Sequence, residues 1–168
     1  MPVERRLRIA ICGDGEPSAL DADAEAIGRA LAEAGCVLLT GGLTGVMTAA
    51  SRGAHQAGGI VIGVLPSYDP ESANPYVTIP ICTGMGEARN VILVTSADAV
   101  LAIGGNYGTL SEIALARKRG KPGICYKSWD LAAIAKHADE GLMRAESVEQ
   151  AVQLVLQATS PPRPPSPA

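Results

Sequence analysis

The stretch Cys36-Val37-Leu38-Leu39-Thr40-Gly41-Gly42-Leu43-Thr44-Gly45-Val46-Met47 decides how the whole chain reads. A short apolar run, too short for a helix, enters a turn with three glycines, and Val46 then opens a segment with helical spacing. The arrangement is strand, turn, helix. Glycines remove the Cβ atoms that would keep a ligand from the backbone, and the helix N-terminus offers free N–H groups and the positive end of its dipole. A turn that needs positive φ accounts for one or two glycines. Three, flanked by Thr40 and Thr44, favour a bound anion. Gly41, Gly42, Thr44 and Gly45 are therefore candidate ligand residues.

The same arrangement recurs at Ile103-Gly104-Gly105-Asn106-Tyr107-Gly108-Thr109-Leu110-Ser111-Glu112, after the apolar run 99–103. It adds Gly104, Gly105, Asn106, Tyr107, Gly108 and Thr109 to the candidates. Here the helix is expected over 109–119, with Thr109 as its cap and Glu112 closing a capping box. Alternatively, the Glu112 carboxylate faces the sugar of a ligand.

Working outward, strands are expected at 7–12, 36–40, 60–65, 77–81, 99–103 and 123–126. Helices are expected at 21–34, 46–57, 86–96, 109–119 and 147–157, the last opened by a Ser147/Gln150 capping box. The pattern weakens after 126, to a short helix at 131–137 and a short strand at 142–145. A Pro-, Asn- and Ser-bearing loop covers 66–75. Strands alternating with helices imply βαβ units, and strands apolar throughout imply helices on both faces. The expectation is an α/β, doubly wound, mostly parallel sheet in one domain, 1–158, followed by a disordered Pro-rich tail, 159–168.

Ligands of such sheets sit at the carboxyl ends of strands. That adds Gly13, in the turn Gly13-Asp14-Gly15 after the first strand, and the turn Thr83-Gly84-Met85-Gly86-Glu87-Ala88-Arg89-Asn90. Arg89 stands in the first turns of a helix, where its charge opposes the dipole by a few tenths of a kcal/mol or more. Either it pairs with Glu87 or Glu112, or it holds a ligand anion.

Composition narrows the function. With 47% apolar and 18% charged residues the chain is expected to fold. Aromatics are only 3% and Phe is absent, so Ala, Val, Ile and Leu build the core. A net charge of −3, with basic clusters only at Arg5-Arg6-Leu7-Arg8 and Arg117-Lys118-Arg119, gives no nucleic-acid surface. Cys12, Cys36, Cys82 and Cys125 form no C-x-x-C pair and each borders an apolar run, which reads as reduced core cysteines. His55 and His137 lack ligand spacing, so no metal is assigned. No signal peptide opens the chain and no apolar run nears the roughly 20 residues of a membrane span. The expectation is a cytoplasmic protein.

In order, Gly41-Gly42-x-x-Gly45-x-Met47, Gly59-Ile60-Val61-Ile62-Gly63-Val64-Leu65-Pro66, Met85-x-x-x-Arg89 and Gly105-x-x-Gly108-Thr109-x-x-Glu112 resemble the LOG (lysine decarboxylase-like) branch of Rossmann-like nucleotide-binding proteins. The subgroup that includes the molybdenum-cofactor carrier proteins is the nearer match. The resemblance spans residues 7–126 and implies a Rossmann-like fold. By motif position, Met85 joins the ligand residues. Glu112 and Arg89 match the Glu and Arg that serve cleavage between base and ribose 5′-monophosphate in the LOG enzymes. Gly104 stands where those enzymes have Pro, Asn106 where they have the second Gly, and Asn90 where they have Lys. The altered cradle and lost charge fit the carrier-like subgroup.

The resemblance leaves two functions open. One is a carrier or binding protein for a phosphate-bearing molecule such as molybdenum cofactor, with the base or pterin toward Gly13 and Gly15. The other is a phosphoribohydrolase acting on a nucleoside 5′-monophosphate. Neither requires a resident cofactor, and no pyridoxal-phosphate lysine motif supports decarboxylation. The resemblance also implies a homodimer or homotetramer, with the helix 86–96 as an interface.

Overall fold

The computed structural model describes residues 5–131 and 139–159 of the 168. The helix expected over 131–137 and the Pro-rich tail lie outside the described residues, save for Leu131 and Thr159. Seven strands form one sheet: β1 (Arg8–Gly13), β2 (Val37–Thr40), β3 (Val61–Leu65), β4 (Ile79–Cys82), β5 (Ala99–Ile103), β6 (Gly123–Tyr126) and β7 (Leu142–Ala145). The helices are α1 (Asp21–Glu33), α2 (Val46–Gln56), α3 (Asn90–Ser96), α4 (Tyr107–Lys118) and α5 (Val148–Thr159). Strand order is β4-β3-β2-β1-β5-β6-β7 and every pairing is parallel.

Alternation along the strands sorts the core into two layers. Ile9 and Ile11 of β1 pack on one face with Ile27 and Leu31 of α1, Ala50 and Ala54 of α2, and Ala151 and Val155 of α5. Ala10 and Cys12 point to the other face, against Leu93 and Val94 of α3 and Ile113 and Ala116 of α4. The result is the expected α/β Rossmann-like sheet between two helical layers.

Three expectations need correction. First, α4 begins at Tyr107, not Thr109, because the Asn106 side chain accepts the Tyr107 N–H and caps the helix there. Glu112 is thus in the second turn and closes no capping box. The misreading came from Gly108, which disfavours a helix yet lies inside this one. Second, the segment 86–96 is not one helix: a 3-10 turn, Gly86–Arg89, precedes α3. Third, Cys82 is exposed while Cys12, Cys36 and Cys125 are buried. It lies on edge strand β4, all four residues of which are exposed, so an apolar neighbourhood in sequence did not bring burial. At α5, Ser147 Oγ accepts from Gln150 N as expected, but the Gln150 side chain accepts from Glu146 N rather than from Ser147.

The closest approach in the layer of α1 and α2 is made by glycines inside helices. A Cβ on Gly28 would overlap the Ala50 carbonyl, and one on Gly53 would overlap the Glu25 carbonyl. Replacing a helical glycine by alanine ordinarily gains about 1 kcal/mol. Here the obstacle is backbone of the facing helix, which cannot rotate aside, and overpacking of that kind costs about 1–3 kcal/mol. Gly53→Ala is expected to lower the urea midpoint with an unchanged slope. A raised midpoint would show that the helices separate without cost.

Candidate functional site

The strand order reverses between β1 and β5. The chain leaves β1 for α1 on one face of the sheet and leaves β5 for α4 on the other. The two connections diverge and a cleft of about 670 Å³ opens at the carboxyl ends of the strands. Cys12, Gly13 and Gly15 line it from β1, Leu43 and Met47 from the turn after β2, Glu87, Arg89 and Asn90 from the segment before α3, and Tyr107, Gly108, Thr109, Ser111 and Glu112 from α4.

The first glycine turn is tied into the scaffold. Gly42 N–H donates to Thr40 Oγ1 at 3.0 Å, and the Gly42 carbonyl accepts from Asn74 N. Asn74 Nδ2 holds the Leu43 carbonyl, so the loop after β3 clamps this turn. The Thr44 hydroxyl donates to the Gly15 carbonyl. A Cβ on Gly45 would overlap the Asp14 carbonyl, and one on Gly41 would overlap the Arg89 guanidinium. Gly41, Gly42 and Gly45 are buried against these neighbours, while Thr44 is exposed beside Gly15. What this turn presents to the cleft is Leu43 and Met47.

The second turn uses the same backbone freedom: Gly104 and Gly105 take φ of 59° and 101°, as Gly42 and Gly45 take 74° and 63°, values that side chains with a Cβ rarely adopt. Gly104 N–H donates to the Tyr126 carbonyl and its own carbonyl accepts from Ser128 Oγ, which fixes the turn to β6. Past Asn106 the helix is free-ended: among the described residues, the N–H groups of Gly108 and Thr109 find no acceptor in the chain, and both residues line the cleft. These are the orphan donors of a helix start.

Beside them lie the two charged residues the sequence singled out. Arg89 Nη1 donates to Asn90 Oδ1, Asn90 Nδ2 donates to Ser111 Oγ at 3.1 Å, and Ser111 Oγ donates to the Gly108 carbonyl. This chain ties Arg89 to α4. Its Nε–H is buried with no hydrogen-bond partner. Neither Glu87 nor Glu112 makes an ion pair with it, so the ion-pair alternative fails among the described residues. Burial pulls the guanidinium below its ordinary value, against the opposing fields of Glu112 and Glu87. Glu112 is 7% exposed. Burial pushes its carboxyl up to about 7, against the pull of Arg89 and of the Cys12 thiol beside it. Burial likewise raises Cys12 well above the ordinary thiol range, with Glu112 adding to the effect.

Of the other expected residues, Gly13 lines the cleft, whereas Met85 sits exposed at the start of the 3-10 turn and outside it. The sequence reading did not assign Cys12, Leu43, Met47, Glu87, Asn90 or Ser111 to the site. Asn90 and Met47 stood within the quoted motifs, and Ser111 follows Gly108 by one helical turn. Cys12 carried no signal beyond its place at the end of β1. His55 packs on the Tyr76 ring at 5.9 Å, and His137 lies outside the described residues. Among the described residues no group of three or more His, Cys, Asp and Glu side chains has metal-holding geometry, and no helix is long and apolar enough to cross a membrane.

Comparison with known proteins places this geometry. The model of the SLOG cluster4 family matches residues 6–152. The structure of the molybdenum cofactor binding protein from Rippkaea orientalis is 39% identical, with a TM-score of 0.86 over 94% of this chain and 100% of that one. The molybdenum cofactor carrier protein of Chlamydomonas reinhardtii is 35% identical, with a TM-score of 0.81 over 92% of this chain and 98% of that one. The rice (Oryza sativa subsp. japonica) cytokinin riboside 5′-monophosphate phosphoribohydrolase LOG is 35% identical over 120 residues, 66% of this chain and 49% of that protein. The chain spans between 44% and 62% of the length of the curated relatives it matches.

The raised Glu112 pKa sets a pH dependence. The folded chain holds the proton up to about pH 7, while the unfolded carboxyl releases it near 4.5. Folding therefore favours the protonated form. Its contribution is fully present below pH 4.5 and is lost as pH rises through 7. Relative to Glu112→Gln, the wild-type chain is expected to lose on the order of 3 kcal/mol between pH 4.5 and 7.5. Urea titrations that run parallel across this range would contradict the assignment.

Proposed function

The chain belongs to the SLOG cluster4 family, and from that premise we propose that it binds a phosphate-bearing, nucleotide-like ligand as a carrier of the molybdenum-cofactor type. The observation that carries the reading is Arg89: a cation held at the cleft whose buried Nε–H has no partner and whose guanidinium has no carboxylate in ion-pair contact among the described residues, with the free N–H groups of Gly108 and Thr109 in the same cleft. A phosphate supplies the acceptors these donors lack. The molybdenum cofactor, as cargo, ends in such a phosphate. The Rippkaea and Chlamydomonas structures, similar over nearly their whole length, support the choice of cargo.

Loading the chain anaerobically with the cofactor, followed by desalting, tests this. Wild type is expected to retain it, and Arg89→Ala to retain at least about tenfold less, as the loss of a charged hydrogen bond of about 1.5–3 kcal/mol requires. Equal retention by both would sink the reading.

One observation favours a second reading, phosphoribohydrolase chemistry of the kind named for the rice relative. Glu112 is a buried carboxyl whose pKa lies near 7, in the cleft with Arg89. In that reaction the bond between base and ribose carbon breaks, water forms the new bond to that carbon, and its proton goes to the departing base. Ionised Glu112 would stabilise the cationic sugar, and Arg89 would hold the phosphate or the base. Free base released from AMP or a cytokinin monophosphate is expected to rise with pH through about 7 and to vanish in Glu112→Gln. No release at high protein concentration would exclude this reading and leave the carrier.

A homo-oligomer belongs to the same proposal. Ile79 and Ile81 of edge strand β4 are 47% and 43% exposed. A second copy covering this apolar edge is expected to make the chain elute above monomer size at low micromolar concentration. A monomer at that concentration would refute it.

A further inference from the structure

Aromatic residues are scarce in this chain, four tyrosines, one tryptophan and no phenylalanine, yet two of them meet at the turn that opens α4. Tyr107 is 76% exposed at the first position of that helix and is one of the residues that line the cleft. The Tyr107 and Trp129 rings are 5.8 Å apart between centroids and inclined by 38°. Trp129 is fixed in turn: its indole N–H donates to the Asn106 carbonyl at 3.2 Å, and the neighbouring Ser128 hydroxyl donates to the Gly104 carbonyl. The segment after β6 therefore braces Tyr107 from outside.

A tyrosine left so exposed gains little for the fold. Neither Tyr107 nor Trp129 belongs to either core layer, though Trp129 packs at the margin of one. What the pair does provide is a flat, rigid, oriented ring next to the two free N–H groups of Gly108 and Thr109. On the β1 side of the same cleft, Gly15 has open space where a side chain would be, whereas a Cβ on Gly13 would meet the Ile103 carbonyl. Gly15 leaves room but gives a ring nothing to stack on.

We propose that Tyr107, braced by Trp129, is the specificity-determining residue that stacks on the planar heteroaromatic ring of the ligand, so that the cleft selects ring-bearing phosphate esters over sugar phosphates and free phosphate. The inference rests on the phosphate site proposed above and adds the residue that holds the ring joined to the phosphate. A purine or a pterin ring satisfies it equally, because stacking reads a π-face and not its edge.

The experiment uses the full chain and three probes: AMP, ribose 5-phosphate and inorganic phosphate, titrated by calorimetry, with the fluorescence of the single tryptophan as a second signal. Wild type is expected to bind AMP about tenfold more tightly than ribose 5-phosphate, which is about 1.4 kcal/mol of stacking, and AMP alone is expected to change the Trp129 emission strongly. Tyr107→Leu is expected to erase the preference and leave ribose 5-phosphate affinity within about twofold, and Tyr107→Phe to keep it. Because Tyr107 is so exposed, both variants are expected to melt near wild type. Equal affinity of wild type for AMP and ribose 5-phosphate would overturn this inference while leaving the phosphate site standing. A preference that survives in Tyr107→Leu would overturn it too. Failure of all three probes to bind would overturn the phosphate reading itself, and this inference with it.

Discussion

Strand β1 is paired on both sides, with Ile9 opposite Leu38 on β2 and opposite Ala99 on β5. The chain runs outward from it to β4, then returns to its other flank for β5. That return imposes the rest. Right-handed crossovers on either side of β1 must put their helices on opposite faces of the sheet, so the connections after β1 and β5 cannot lie side by side. The cleft is the space they leave. The residues that line it come from strand ends, the turns that follow them and the first turns of helices, so its donors are the Arg89 guanidinium and backbone N–H groups.

The two glycine turns look alike in sequence and differ in what they do. In Gly41–Gly45 the glycines accommodate neighbours: the Arg89 guanidinium beside Gly41, the Leu65 side chain beside Gly42, the Asp14 carbonyl beside Gly45. This turn is a support, and its exposure to the cleft passes to Leu43 and Met47. In the turn after β5 the glycines accommodate neighbours too, Asp14 and Leu20 beside Gly104 and Thr109 beside Gly105, and the difference is that Tyr107, Gly108 and Thr109, the first residues of α4, line the cleft themselves. A count of glycines cannot separate these cases. The partners of Gly41 and Gly45 lie far along the chain or in another turn, and only the fold brings them together.

The same limit runs through the rest of the reading. The sheet and its two helical layers were legible because apolar strands alternate with amphipathic helices, and that pattern is local. The start of α4 was misplaced because Asn106, a cap recognisable in principle, is followed by a glycine that argues against a helix. Cys82 was misplaced because burial on a strand depends on whether the strand lies at an edge, and sheet order is not a local property. Arg89 and Glu112 were found, Arg89 because it sits against its electrostatic preference. Their relation was not. The sequence allowed an ion pair, whereas the structure gives Arg89 to Asn90 and leaves Glu112 to burial and Cys12.

That separation bears on which ligand suits the cleft. A half-buried cation whose buried Nε–H has no acceptor is costly unless something completes it. Had Glu112 paired with Arg89, the two charges would have satisfied each other and an incoming anion would have had to break them apart. Because Asn90, itself held by Ser111, accepts from the guanidinium instead, Arg89 stays available beside the start of α4. Glu112 is then free to carry a proton near neutral pH, and in that state it does not repel an anion. An ionised Glu112 would oppose a phosphate in the same cleft and favour a cation there. Both proposed ligands carry a phosphate, so Arg89 would meet that group in either case, and what the Glu112 proton changes is whether this carboxyl could face a cationic sugar.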